Sequence, residues 1–166
     1  MSHWVFGYGS LIYKVDFPFQ ERLRAQISGW QRRFWQGSHD HRGTPAAPGR
    51  VVTLMPLAGA VCAGMAYKIA EDVFEHLDHR EKNGYVRLDT TMELADGREV
   101  AATVYVADKC NHAFLGPASM TDIAEQIGNS HGPSGANRDY LLQLAVALRE
   151  LNIVDEHIAE LERLLR

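Results

Sequence analysis

The chain is short of cysteine and of long apolar runs, and each shortage removes a class of protein. Cys62 and Cys110 are its only cysteines, too few for the disulfide framework of a small secreted fold. No stretch approaches the roughly 20 consecutive apolar residues that a membrane-crossing helix needs. The opening Met1-Ser2-His3-Trp4 has neither the basic nor the apolar block of a secretory signal. A cytoplasmic protein is therefore expected. Internal repeats, low-complexity tracts and charged tails are also lacking, which argues against solenoids and disordered arms.

What remains is an ordinary folding composition. The 166 residues are 46% apolar and 23% charged, enough for one domain, residues 1–166, with a real core. The net charge of −4 is unevenly spread: residues 22–50 hold six arginines against Asp40 alone, a local +5, leaving −9 to the rest. A basic segment on an acidic body can attract a small anion or a nucleic acid, and composition does not choose between them. Trp30, Phe34 and Trp35 interleave there with Arg32 and Arg33. Aromatics among arginines can stack bases. More often such a run is a strand with its aromatic face buried and its arginines in water. No nucleic-acid module accompanies it, so no nucleic-acid partner is expected.

Trp4–Tyr8 reads as a first strand that runs into the Gly7/Gly9 pair. Residues 25–36 look extended, and 37–49 form a loop rich in glycine and proline. Arg50–Met55 and Val61–Ile69 are two β-rich runs, and a helix is predicted over 70–82. Tyr85–Leu94 and Glu99–Val106 flank Asp96-Gly97, a hairpin signal. Helices follow at about 120–130, 136–151 and 155–165. Strands first and helices last predict an α+β fold, with a small, strongly curved or closed sheet and helices packed beside it.

The predicted 70–82 helix carries Ala70, Val73, Phe74 and Leu77 at spacings of three and four. Four residues past Leu77 the same stripe reaches Glu81. A carboxylate in the last helical turn opposes the helix dipole by about 0.3–1 kcal/mol. A locally unfavourable residue aimed inward marks a candidate functional site, and burial there would raise its pKa as proton shuttling requires. The plainer reading is an ion pair with Arg80, Lys82 or Arg87.

Gly7-Tyr8-Gly9-Ser10-Leu11 can present backbone N–H groups to a carboxylate or phosphate, or can be a simple turn. Ile12 stands where a dinucleotide fingerprint needs its third glycine. Ser10 lies outside any Gly-x-Ser-x-Gly elbow. Near the other end, Tyr140 shares a stripe with Leu144, Leu148 and Leu151, which turns its ring inward. Its hydroxyl would then anchor packing or reach a cleft. His39 and His41 flank Asp40, and His76 and His79 are three apart, but neither pair has the further ligands of a zinc site. No metal is expected. Cys62 alternates with apolar neighbours as a core residue would, and Cys110 forms no dyad with the adjacent Asn111 and His112.

Together these stretches resemble the ChaC-type γ-glutamylcyclotransferases, which degrade glutathione. The likeness runs from Val5-Phe6-Gly7-Tyr8-Gly9-Ser10-Leu11-Ile12, through Arg32-Arg33-Phe34-Trp35-Gln36-Gly37-Ser38 and Asp40-His41-Arg42-Gly43-Thr44-Pro45, to Pro48-Gly49-Arg50-Val51-Val52-Thr53-Leu54. It continues at Leu77-Asp78, Arg80-Glu81-Lys82 and Gly84-Tyr85, then at Phe114-Leu115-Gly116-Pro117-Ala118 and Ile123-Ala124-Glu125-Gln126-Ile127. It ends at Gly132-Pro133-Ser134-Gly135 with Asn137 and Tyr140. Residues 55–62 and 86–104 match weakly. Tyr13 and Asn83 stand where Trp and Gly are frequent in the family, and Val15 where some members have Pro.

The resemblance implies a barrel-like sheet with helices and a reaction that turns glutathione into 5-oxoproline and cysteinylglycine. It implies that Glu81 is the acid/base, that Tyr8, Gly9, Ser10 and Leu11 hold the γ-glutamyl group, and that Tyr140 lies near the substrate. It implies neither cofactor nor metal, neither membrane nor obligate protein partner. The rival expectations are broader γ-glutamyl amino-acid or amine substrates, or a non-catalytic regulatory binding protein.

Overall fold

The computed structural model describes residues 2–81 and 85–166; Met1, Lys82, Asn83 and Gly84 lie outside the described residues. The last residue of the 70–82 helix, the Lys82 ion-pair alternative, the Asn83 departure, and Lys82 and Gly84 of the matching stretches all fall on them.

In chain order the elements are β1 (Ser2–Gly7), α1 (Ser10–Tyr13), β2 (Glu21–Ser38), β3 (Gly49–Ala70), α2 (Glu71–Glu81), β4 (Val86–Leu94) and β5 (Glu99–Val106). They continue with α3 (Met120–Asn129), β6 (His131–Gly132), β7 (Gly135–Ala136), α4 (Asn137–Glu150) and α5 (Glu156–Leu165). The first five strands close into a barrel in the order β1-β3-β2-β4-β5. β1 runs antiparallel to β3, from Ser2 opposite Ala70 to Gly7 opposite Met65. It meets β5 in parallel at Val5 and Thr103. β4 and β5 form the expected hairpin, with Val86 opposite Val106 and Glu93 opposite Glu99. Closure gives each of the five strands a neighbour on both sides. The expected α+β architecture, a mixed barrel-like sheet with helices, is what forms.

The chain divides into two compact units, residues 1–31 with 54–108 and residues 32–53 with 109–166. The first unit is built on the barrel pairings of β1, β4 and β5. Its interior is filled by Val5, Phe6, Ile27, Met65, Tyr67, Ile69, Met92 and Val104. α2 belongs to this unit and buries Phe74, Leu77 and Asp78. The second unit packs α3, α4 and α5 through Ile123, Ile127, Leu141, Leu144, Leu148, Ile158 and Leu161. Each such side chain contributes about 1.5–3 kcal/mol on leaving water. Ser119 caps α3 by accepting from the Asp122 N–H at 3.1 Å, and Asp155 caps α5 by accepting from the Ile158 N–H at 3.1 Å, as short polar side chains do at helix starts.

Several local expectations are corrected. The two β-rich runs are one strand, β3, which continues through Pro56–Ala60; Gly59 takes φ +84° there, a conformation that side chains with a Cβ rarely adopt. β2 reaches Ser38, so the glycine- and proline-rich loop is shorter than 37–49. The four-residue α1 and the two-residue strands β6 and β7 have no periodic signal at their length, and sequence reading missed them.

The arginine-rich segment is also not a uniform basic patch. Arg32 is 2% exposed and donates from Nη1 to Asp155 Oδ2 at 2.7 Å. Arg50 is buried and donates to the Gln126 side chain and to the carbonyls of Phe34 and Gly116, at 2.7, 2.9 and 2.9 Å. Both are interior hydrogen-bonding residues of the second unit, and for Arg32 this corrects the expectation that the arginines of the aromatic run face water.

Candidate active site

The site is built from the end of α2, the turn after β1 and the last residues of β5, all in the first unit. Phe74 and Leu77 pin one face of α2 to the interior. The next positions on that face are Asp78, four after Phe74, and Glu81, four after Leu77. The helix therefore delivers two carboxylates to one side. The Glu81 side chain keeps 22% of its surface, and Oε1 lies 3.6 Å from Arg80 Nη2. Burial raises its pKa above the ordinary carboxylate value; the neighbouring Arg80 cation opposes this, and the charge of Asp16 adds to it. Glu81 therefore has the arginine neighbour of the plainer reading, and burial shifts its pKa in the upward direction that proton shuttling would need.

Arg80 is itself shared. Its Nη1 donates to Asp16 Oδ2 at 2.8 Å, which ties the segment after α1 to the last turn of α2.

The turn after β1 is held by its carbonyls. Tyr67 donates its hydroxyl to the Leu11 carbonyl, and Arg22 Nη2 donates to the Ile12 carbonyl at 3.2 Å while its guanidinium lies 5.8 Å from the Tyr67 ring centre. The Gly9 carbonyl accepts from the Ile12 N–H at 2.9 Å. The first N–H groups of a helix have no intrahelical acceptor, so Ser10 and Leu11, which open α1, can offer theirs to an anion. Gly7 is required by close approach: a Cβ there would come within 2.9 Å of Leu11 Cβ. Ser10 is exposed, whereas Tyr8 and Gly9 are buried.

Tyr105 of β5 joins these two parts. Its carbonyl accepts the Tyr8 hydroxyl at 2.7 Å, and its own hydroxyl donates to Asp78 Oδ1 at 2.9 Å. Arg87 Nη1 reaches the same oxygen at 3.3 Å. Arg87 and Tyr105 are register partners across β4 and β5, so their side chains leave the same face of the hairpin. Asp78 and Tyr105 were not singled out from the sequence. The available signal was that Asp78, like Glu81, continues the apolar stripe of α2.

Tyr140 belongs to the second unit. It is buried, as its stripe on α4 predicts, and its hydroxyl accepts from the Val52 N–H at 3.3 Å. The Arg42 guanidinium lies 5.7 Å from its ring centre and donates to the Ala136 carbonyl at 3.1 Å. Asn137, one turn earlier, brackets the Arg50 backbone by accepting from its N–H at 2.7 Å and donating to its carbonyl at 2.8 Å.

Among the described residues no group of three or more His, Cys, Asp and Glu side chains is arranged to hold a metal ion, and His76 and His79 both face solvent. Cys62 is buried and Cys110 exposed. No helix among the described residues is long and apolar enough to cross a membrane.

Comparison with known proteins concerns the chain as a whole. Residues 3–166 match the family model described as ChaC-like protein. The chain is 46% identical to Gamma-glutamylcyclotransferase 2-3 of Arabidopsis thaliana, over all of this chain and 89% of that protein. It is 36% identical to the Glutathione-specific gamma-glutamylcyclotransferase of Saccharomyces cerevisiae, over 92% of this chain and 88% of that one. A crystal structure of the glutathione-specific γ-glutamyl cyclotransferase from yeast superposes with a TM-score of 0.89 at 34% identity, covering 99% of this chain and 95% of the other.

Proposed function

The chain belongs to the ChaC-like protein family, and from that premise we propose that it cleaves glutathione to 5-oxoproline and cysteinylglycine, with Glu81 moving the proton. The observation that carries the reading is a mostly buried carboxylate at the end of α2, its pKa raised by burial, in the same unit as the Tyr8–Leu11 turn. Relatives at 36–46% identity bear γ-glutamylcyclotransferase names, which supports the reaction class.

The chemistry needs only the substrate and one proton carrier. The α-amine of the γ-glutamyl group attacks its own γ-carbonyl carbon and a five-membered ring closes. Glu81 takes the proton released from the attacking nitrogen and returns it to the amide nitrogen as the old C–N bond breaks. The ring leaves as 5-oxoproline and the amine as cysteinylglycine. General acid–base transfer of this kind contributes about a hundred- to ten-thousand-fold. Holding the folded-back conformer can contribute as much as ~7–11 kcal/mol, so positioning can outweigh proton transfer. The N–H groups at the start of α1 are proposed to hold the glutamyl end. Tyr8 is proposed to support them through its hydroxyl, and Tyr140 keeps the substrate-binding role implied by the resemblance.

The balance of this reaction requires no cofactor or metal. A small thiol peptide as substrate fits a reducing cytoplasm, which is the proposed location. Because β2 and β3 each run through both units, residues 1–166 are expected to unfold as one domain in a single thermal transition.

The name of the Arabidopsis relative specifies no substrate, so a broader γ-glutamyl range is the second reading. Incubation with glutathione and, separately, with γ-glutamyl-alanine, followed by measurement of 5-oxoproline, tests both. Product from glutathione alone supports the first reading and product from both supports the second. No product from either would return the chain to a non-catalytic role.

A further inference from the structure

We propose that Asp78 and Tyr105 are positioning residues for this reaction, fixing the Tyr8–Leu11 turn against the helix end that carries Glu81; the inference rests on the function proposed above.

A buried carboxylate is costly unless it is hydrogen-bonded and paired, and Asp78 has both kinds of partner. Its Oδ1 receives the Tyr105 hydroxyl at 2.9 Å and Arg87 Nη1 at 3.3 Å. The geometry is set from two directions. From the helix, Phe74 holds the face, with the Arg87 guanidinium 5.9 Å from its ring centre. From the sheet, the pairing of Arg87 with Tyr105 in β4 and β5 sends both donors to the same place. Rotation of Tyr105 about its side-chain bonds would cost it the Asp78 bond, so the residue is locked.

Locking Tyr105 has a consequence at the turn. The Tyr105 carbonyl accepts the Tyr8 hydroxyl at 2.7 Å. Tyr8 opens the turn whose N–H groups are proposed to grip the substrate. Asp78 stands three residues before Glu81 on the same face of α2. One residue, Tyr105, therefore spans from the catalytic helix to the substrate turn, with a side-chain bond at one end and a main-chain bond at the other. The Tyr105 hydroxyl is held protonated, first by burial, then by its bond to Asp78 and by the Asp78 charge, with the Glu81 charge acting in the same direction. It is a fixed donor to Asp78 and does not compete for the proton that Glu81 carries. A displacement of about 1 Å between substrate and proton carrier can reduce turnover about 100-fold, and this is the displacement that the Asp78–Tyr105 bond prevents.

The test uses the full chain with three variants, Asp78→Asn, Tyr105→Phe and the double, reading thermal midpoint, kcat and KM for 5-oxoproline formation from glutathione. Tyr105→Phe leaves the Tyr105 carbonyl for Tyr8 and the Arg87–Asp78 pair for α2, so it is expected to fold. Its kcat is expected to fall by about 10- to 100-fold, with KM within about threefold. The double variant is expected to lose no more than the worse single, because the two side chains act as one unit. If Asp78→Asn fails to fold, Tyr105→Phe decides alone. Wild-type kcat per folded molecule in Tyr105→Phe would overturn the inference and leave the proposed function standing, as would losses that multiply in the double variant. A wild-type protein that makes no 5-oxoproline from glutathione would overturn both.

Discussion

Arg80 stands beside Glu81 without being committed to it: its Nη2 is 3.6 Å from Glu81 Oε1, while its Nη1 donates to Asp16 Oδ2 at 2.8 Å. Asp16 therefore influences Glu81 twice. It draws part of the Arg80 charge away, and its own charge raises the Glu81 pKa. Both effects favour the protonated carboxyl. In Asp16→Asn both are removed, so the Glu81 pKa falls and the unprotonated base persists to lower pH. The acid limb of kcat/KM against pH, which reports the free enzyme, is expected to move to lower pH in Asp16→Asn and to higher pH in Arg80→Gln. Asp16 and Arg80 are each about half exposed, at 54% and 49%, and exposed pairs contribute about 1 kcal/mol or less, so both variants should fold. Superimposable limbs would remove Glu81 as the titrating group.

Glu81→Gln tests the proton carrier directly. The amide keeps the size and polarity of the side chain but cannot accept and return a proton. Turnover is expected to fall by about two to four orders of magnitude, with glutathione binding retained in calorimetry. Turnover equal to wild type would assign the proton transfer to another group.

How far the sequence carries to this point depends on the range of the physics involved. α3, α4 and α5 were legible because their apolar stripes are local and long, and the β4–β5 hairpin because Asp96-Gly97 marks its turn. Glu81 was legible because it interrupts an apolar stripe. Asp78 obeys the same four-residue rule from Phe74 but its meaning lies in Tyr105 and Arg87, which only the hairpin register brings to it. Arg32 was misread for a related reason: its partner Asp155 is 123 residues away in the chain, and no local pattern distinguishes an arginine with a buried partner from one in water. The continuity of β3 through Gly59 was misread because glycine and proline more often interrupt a strand than lie inside one.

Gly7→Ala probes the turn. Its Cβ would stand 2.9 Å from Leu11 Cβ and 3.4 Å from the Leu11 carbonyl carbon, and Leu11 is held in place by the Tyr67 hydroxyl. The added methyl must push α1 away from β1, which moves the N–H groups of Ser10 and Leu11. KM for glutathione is expected to rise by about tenfold or more, matching a loss of at least ~1.4 kcal/mol of binding. An unchanged KM would separate substrate capture from this turn.

The second unit makes an acid-stability prediction of its own. The Phe34 N–H donates to His157 Nε2 at 3.0 Å, so that nitrogen carries no proton and the ring is neutral. Burial, then the charge of Arg33, lowers the His157 pKa from 6.5 to about 4. The unfolded chain takes up this proton more readily than the folded one, so the stabilisation is full above the unfolded value. It is lost as pH falls from about 6.5 to about 4, and amounts to about 3 kcal/mol over that window. Protonation below that window would turn Nε2 from acceptor to donor against the Phe34 N–H. His157→Gln retains an acceptor that does not titrate. Between pH 7 and pH 4 its unfolding free energy in urea is expected to fall less than that of the wild type, by about 3 kcal/mol. Parallel pH profiles for the two proteins would show that His157 is no more protonated in the unfolded chain than in the folded one.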